Sequence, residues 1–155
     1  MTALCTIGYE HTTPTAFFDA LKAAKVGLVV DVRAVAASRR PGFSKRQLAA
    51  GLDGHGIGYV HLQKLGTPKD GRLAAHAGHP DKMLRIYERH LATAEAAREL
   101  DELTALAKAS MARSGRAVCL LCYERDPGQC HRQRLARELN ARLGIKVKDL
   151  FCDPA

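Results

Sequence analysis

No apolar run in the sequence approaches the roughly 18 residues that a membrane-spanning helix needs, so we expect no membrane contact. We also expect no leader of the signal-peptide type, because Cys5 to Gly8 follow the first methionine almost at once. Its five cysteines are an odd number, which argues against a secreted disulfide framework. Together these absences predict a cytoplasmic protein.

The composition is that of a small globular protein with an excess of positive charge. A chain of 155 residues fits one domain with a buried core, so we expect a single domain over residues 1–155. The net charge of +8 favours an anionic partner such as a nucleotide or nucleic acid, although basic surfaces also serve solubility. No cofactor is indicated, and we expect a monomer or a small homo-oligomer.

Short apolar runs alternate with helical periods along the chain. Strands are predicted at 3–7, 26–32, 56–62, 117–122 and 147–151, and helices at 13–24, 44–52, 81–113 (as two helices) and 130–143. Residues 63–80 lack an apolar period and predict a long binding loop or lid. Ser44 and Gln47 predict a capping box. This order predicts an α/β fold with a mainly parallel sheet of four to five strands flanked by helices, in a Rossmann-like three-layer arrangement.

Polar residues follow four of the predicted strands. Tyr9 and Glu10 follow the first strand, residues 31 and 33 end the second, His61 ends the third, and residues 122–124 end the fourth. In parallel α/β sheets, ligands bind beyond the carboxyl ends of the strands. The sequence therefore predicts one site at this edge of the sheet.

Cys130, His131 and Arg132 are predicted to open the last long helix. Backbone N–H groups and the helix dipole favour negative charge at such a position, and the adjacent basic residues should lower the pKa of the Cys130 thiol. In the alternative interpretation, Arg132 pairs with a structural carboxylate such as Asp31 or Glu124, and Cys130 only packs.

Ten residues are candidates for the site. The predicted catalytic residues are Cys130, Glu124, Asp31 and His131, and the predicted substrate-binding residues are Arg33, Arg39, Arg132, Tyr9, Tyr123 and His61. Asp31 could instead hold Arg33 in position. The basic segment 38–45 could bind nucleic acid with Phe43 stacked on a base, or it could be a solvated loop. Cys5, Cys119 and Cys152 are expected to be small core residues.

Cys122, Cys130 and His131, with a water or His61, have the chemistry of a zinc site. However, seven residues separate the two cysteines, which is longer than the usual knuckle, and the sequence holds one such pair. We therefore predict no metal ligands from the sequence.

Several short motifs together resemble the DUF488 family of small proteins. They are Thr6-Ile7-Gly8-Tyr9, Val30-Asp31-Val32-Arg33, Ser38-Arg39 with Pro41-Gly42-Phe43-Ser44, Gly56-Ile57 with Tyr59 and His61, Leu65-Gly66, Leu121-Cys122-Tyr123-Glu124, and Cys130-His131-Arg132. The resemblance spans nearly the whole chain and implies a single α/β domain, but it brings no activity. The chain departs from the family pattern at Thr67-Pro68, where a second glycine is expected, and in a shorter segment 69–79.

The function that these features favour is an enzyme, a hydrolase or transferase, acting on a phosphate-bearing substrate such as a nucleotide or nucleic acid. A covalent intermediate on Cys130 belongs to the same hypothesis. A non-catalytic nucleic-acid-binding module is the first alternative, and a thiol redox or sulfur-handling protein that uses Cys122 and Cys130 is the second.

Overall fold

Five short segments form the strands of one parallel sheet in the computed structural model, which describes residues 3–152. The strands are β1 (Leu4–Gly8), β2 (Val26–Asp31), β3 (Gly58–His61), β4 (Ala117–Cys122) and β5 (Val147–Leu150). Their order across the sheet is β3-β2-β4-β1-β5, and each adjacent pair is parallel. The predicted α/β fold is therefore confirmed. The predicted domain limits include residues 1–2 and 153–155, which lie outside the described residues.

Helices cover both faces of the sheet. Within residues 3–152 they are α1 (Pro14–Ala23), α2 (Lys45–Gly54), α3 (Lys69–His76), α4 (Pro80–Leu91), α5 (Ala94–Ser114) and α6 (Arg132–Leu143), with short 3₁₀ turns at Gln63–Leu65 and Pro127–Gln129. Apolar residues of α1 and α2 pack in one core, and those of α4, α5 and α6 pack in the other. These layers confirm the predicted three-layer arrangement. No helix of the described segment has the length and apolar character needed to cross a membrane.

The prediction of a loop over residues 63–80 is wrong for most of its length. This segment contains a 3₁₀ turn and the eight-residue helix α3. The buried positions of α3 are Gly71 and Ala74, and Gly71 lies against Ile86 of α4. Because small residues make this contact, the segment shows no apolar stripe that the sequence could reveal.

The predicted capping box at Ser44 is also absent. Ser44 is the N-cap residue of α2, but its hydroxyl donates to the Ser38 carbonyl at 3.1 Å and accepts from the Ser38 N–H at 3.0 Å. The Gln47 side chain accepts from the Gly42 N–H at 3.0 Å. Both side chains therefore brace the basic loop 38–44 instead of the start of the helix.

The chain leaves the adjacent strands β2 and β4 in opposite directions along the sheet. From β2 it runs through α2 to β3 at one edge, and from β4 it runs through α6 to β5 at the other edge. A crevice opens at such a switch point beyond the carboxyl ends of parallel strands, and α/β folds place ligands in it.

Candidate functional site

A cavity of about 380 Å³ occupies this crevice. Its lining includes Cys122, the last residue of β4, and three residues that follow this strand, Glu124, Cys130 and His131. We call these four side chains the thiol cluster. The lining also includes Arg39, Arg40 and Arg72, which we call the arginine group. Titratable thiol, carboxyl and imidazole groups therefore share one cavity with three cationic side chains.

The thiol cluster is tightly packed. The Nδ1 atom of His131 lies 3.8 Å from Cys122 Sγ and 3.7 Å from Cys130 Sγ, and these three atoms all lie within 4.8 Å of one another. The Cys122 thiol donates to the Glu124 carboxylate at 3.3 Å. Cys122, Cys130 and His131 are each buried. Four ionisable groups are thus held in one largely dry contact.

The orientation of the His131 ring follows from its hydrogen bonds. Nε2 lies 2.6 Å from the carbonyl oxygen of Val32, and since a carbonyl oxygen only accepts, Nε2 is the protonated nitrogen. Nδ1 therefore faces the two sulfur atoms and the Thr67 hydroxyl, which is 2.8 Å away. The ring of Tyr87 packs against the imidazole at 5.1 Å between centroids.

Ionisation within the thiol cluster is strongly coupled. Burial opposes the Cys130 thiolate, but the neighbouring Cys122 side chain and the positive charges of His131 and Arg132 hold the pKa of Cys130 well below its ordinary value. Burial is the largest cause that raises the pKa of Cys122 well above its ordinary value. Burial, with the charge of Cys130, raises the pKa of Glu124 to about 7. Cys130 is therefore the thiol of this pair that ionises first.

Asp31 and Arg33 form a buried ion pair beside the cavity. The Arg33 guanidinium donates from Nε to one Asp31 carboxylate oxygen at 2.9 Å and from Nη2 to the other at 2.7 Å. Its Nη1 donates to the Phe43 carbonyl at 2.7 Å and to the Tyr9 hydroxyl at 3.2 Å. The Tyr59 hydroxyl also donates to Asp31, at 2.5 Å. This ion pair ties β2 to β1, β3 and the basic loop.

Arg132 is fully buried at the start of α6. Its guanidinium donates to the backbone carbonyls of Glu124 at 2.5 Å and Arg125 at 3.1 Å. Its Nε has no hydrogen-bond partner, and within residues 3–152 no carboxylate forms an ion pair with it. The alternative interpretation, in which Arg132 pairs with the side chain of Asp31 or Glu124, is therefore wrong. Arg132 instead fixes the backbone that presents the thiol cluster.

Two glycines allow the backbone segments of the site to approach each other. A Cβ atom on Gly8 would lie 1.8 Å from the Glu124 carbonyl oxygen, and one on Gly66 would lie 2.1 Å from the Ala34 nitrogen. Side chains at these positions would therefore separate β1 from the segment after β4, and the Thr67 turn from the segment after β2.

A comparison with protein-family models matches residues 13–139 to the domain of unknown function DUF488. The match spans most of the chain. This protein belongs to the DUF488 family. Comparisons with curated proteins and with solved structures gave no match. In this DUF488 chain the matched region includes the arginine group and the whole thiol cluster, whereas Tyr9 precedes it.

The structure of this DUF488 protein brings seven of the ten candidate residues to the cavity. Those that line it are Cys130, Glu124, His131, Arg33, Arg39, Tyr9 and Tyr123. Asp31, Arg132 and His61 do not line it. His61 is held by a hydrogen bond from its Nε2 to the Arg33 carbonyl at 2.7 Å, which keeps the ring away from the thiol cluster. Phe43 is buried and stacks on Tyr9 at 4.6 Å, so the expectation that it could stack on a base is wrong.

The cavity of this DUF488 chain also contains residues that sequence reasoning did not select. Arg72 and His76 come from α3, Met83 comes from α4, and Thr67 contacts His131 directly. Thr67 directly follows the Leu65-Gly66 motif, and this position in the sequence could have identified it as a site residue. The segment that holds the α3 residues was predicted to be a binding loop or lid, but nothing in the sequence singled out Arg72 or His76 within it.

Proposed function

We propose that this DUF488 protein is an enzyme that acts on a phosphate-bearing substrate, a nucleotide or a nucleic-acid strand, bound in the cavity beyond β1, β2 and β4. The observation that carries the proposal is the presence of the thiol cluster and the arginine group in one cavity. Coupled, buried ionisable groups in a cleft are characteristic of catalytic sites. Guanidinium groups are the preferred side chains for binding phosphate.

The arginine group provides the phosphate-binding side of the cavity. Arg39 is exposed, and Arg40 and Arg72 are partly buried, so each can reach a ligand. Arg72 donates to the Thr67 carbonyl at 2.7 Å, which places its guanidinium beside the thiol cluster. Tyr123 is 38% exposed and offers its ring to a nucleobase. Arg33 and Arg132, which are buried and donate to the Asp31 carboxylate and to backbone carbonyls respectively, act as positioning residues.

The thiol cluster provides the reacting groups. Cys130 and His131 lie at the buried side of the cavity, and Glu124 is the carboxyl group placed to accept or return a proton. Asp31 supports them indirectly, since its carboxylate is fully engaged with Arg33 and Tyr59. The class of reaction that this arrangement favours is hydrolysis or group transfer. The cysteines of the cluster need a reducing environment such as the cytoplasm.

The proposal is tested by incubating the protein with nucleoside mono-, di- and triphosphates and short oligonucleotides, with products identified by mass spectrometry. Turnover should disappear in Cys130→Ser and Glu124→Gln. Calorimetry should show that Arg39→Ala and Arg72→Ala each weaken binding about tenfold or more, because a hydrogen bond to a charged group contributes about 1.5–3 kcal/mol. Arg113→Ala is the matched control. Arg113 is exposed and lies in the last turn of α5, at the end of the sheet opposite the cavity.

Two results would contradict the enzyme proposal. Equal losses of affinity in Arg113→Ala and Arg39→Ala would mean that ligands bind the basic surface in general. Salt-dependent oligonucleotide binding without turnover, which survives Cys130→Ser and Glu124→Ala but is lost on substitution of Arg39 and Arg40, would identify a non-catalytic nucleic-acid-binding module.

A thiol redox function is the second candidate, favoured by the position of the Cys122 and Cys130 sulfur atoms within 4.8 Å of each other. It predicts that Cys130 is alkylated near neutral pH and that oxidation joins the two residues in a disulfide. A Cys130 thiol that resists alkylation until about pH 8.5 or above would contradict it.

A further inference from the structure

The Nδ1 atom of His131 lies at the separation of a tetrahedral metal site from the sulfur atoms of both Cys122 and Cys130, and the three donor atoms all lie within 4.8 Å of one another. With Zn–S bonds of about 2.3 Å and Zn–N bonds of about 2.0–2.1 Å, a tetrahedral ion holds sulfur and nitrogen ligands about 3.6 Å apart. The distances from His131 Nδ1 to the two sulfur atoms are 3.8 and 3.7 Å. They agree with the tetrahedral value to within about 0.2 Å, the tolerance expected of a formed site.

The orientation of His131 fits metal binding. A histidine that binds zinc usually donates its other ring N–H to a carboxylate or a backbone carbonyl, which fixes the tautomer. Here Nε2 donates to the Val32 carbonyl at 2.6 Å, and Nδ1 is directed at both sulfur atoms. The Thr67 hydroxyl, 2.8 Å from Nδ1, must rotate away when a metal takes its place. The ring is therefore already held in the tautomer that a metal requires.

The charges around the cluster also balance when a divalent ion is present. Two thiolates neutralise the ion, and the Glu124 carboxylate then offsets Arg132, which has no ion-pair partner among residues 3–152. Without the ion, Cys122 keeps its proton and donates it to the Glu124 carboxylate. Sulfur and imidazole donors select zinc over the hard cations magnesium and calcium.

We propose that Cys122, Cys130 and His131 bind one zinc ion whose fourth position opens to the cavity. Three protein ligands with an open position are typical of catalytic zinc sites. When Cys122 is a thiolate it can no longer donate to Glu124, and a water bound at the open position is the donor that replaces it. Glu124 then receives the proton that this water loses as it becomes a hydroxide nucleophile. The zinc site does not depend on which substrate the cavity takes.

Zinc content and cobalt spectra test the site in the full chain. The wild-type protein, purified under reducing conditions and given zinc, should retain one ion per chain after dialysis, measured by elemental analysis. The Co²⁺ form should show a thiolate-to-metal charge-transfer band and tetrahedral visible bands. Cys122→Ser and Cys130→Ser should lower metal affinity by more than the roughly 10–100-fold that changes to ligand-orienting residues cause. Cys119→Ala is the matched control, because Cys119 is a buried core cysteine of β4, the strand that also holds Cys122.

Glu124→Gln separates this proposal from the proposed function, because it should retain zinc and its cobalt spectrum while losing turnover. Folded wild-type protein that retains no zinc, or a Co²⁺ form without a thiolate band, would overturn the metal site. Zinc retention by folded Cys130→Ser equal to that of the wild type would also overturn it. Cys130-dependent turnover in a zinc-free protein would keep the enzyme proposal and reject the metal.

Discussion

The Asp31–Arg33 ion pair is the residue-scale contact that connects the sheet to the cavity. Both side chains are buried, and their hydrogen bonds reach Tyr9, Phe43 and Tyr59. The sequence placed both residues at the end of the second predicted strand, and it left open whether Asp31 moves protons or holds Arg33. The geometry supports the holding role, because both carboxylate oxygens of Asp31 already accept hydrogen bonds.

Asp31→Asn should therefore act mainly on stability. It leaves the buried Arg33 guanidinium without a compensating charge, and breaking a buried pair in this way costs about 3–5 kcal/mol. Urea unfolding monitored by circular dichroism should show this loss of free energy. Glu95→Gln, which breaks the exposed pair with Lys64, should leave the unfolding midpoint unchanged. A stable, folded Asp31→Asn protein that has lost only turnover would show instead that Asp31 is catalytic.

The close approach of β1 to the segment after β4 is the element-scale feature that positions the thiol cluster. Gly8 permits it, since a Cβ there would lie 1.8 Å from the Glu124 carbonyl oxygen. Gly8→Ala should displace the backbone at Glu124, and with it the Arg132 hydrogen bond to that carbonyl. We expect both a lower unfolding midpoint and a loss of turnover.

Gly54→Ala is the matched control for Gly8→Ala. Gly54 ends α2, and a Cβ there would meet no atom within 4 Å. This change should leave turnover intact and leave stability unchanged or higher by up to about 1 kcal/mol. A Gly8→Ala protein with wild-type stability and turnover would show that the approach of β1 is not needed to build the site.

The sequence predicts strands and helices correctly where the pattern of apolar residues is local. Apolar runs that end in polar residues located the strands and the carboxyl ends that carry Tyr9, Cys122 and Glu124. The alternation of strands and helices predicted that helices cover both faces of the sheet. Helix α3 was missed because its contact with α4 is made by Gly71 and Ala74, which carry no apolar period. The sequence raised Cys122 and Cys130 as a zinc or redox pair, but it could not establish their distance, because the seven residues between them form a turn that no spacing rule describes.

At the scale of the whole molecule, the net charge of +8 raises the question of whether anions bind the cavity or the surface in general. A general basic surface attracts any polyanion, and it does so through many weak, salt-sensitive contacts. A cavity that offers the three side chains of the arginine group makes few contacts, so the dependence of binding on salt separates the two.

The binding of single-stranded oligonucleotides should show the weak salt dependence that few contacts in the cavity produce. Neutralising one phosphate on a single strand contributes a slope of about −0.7 to the plot of log affinity against log salt, so three arginines predict about −2. Arg39→Ala should lower affinity and flatten the slope by about 0.7, because it removes one phosphate contact. Fluorescence anisotropy at several salt concentrations measures both quantities. Arg113→Ala should change neither the affinity nor the slope, because Arg113 lies at the end of the sheet opposite the cavity. A much steeper slope, flattened equally by both substitutions, would mean that the basic surface as a whole binds the strand and that the cavity has no special part in it.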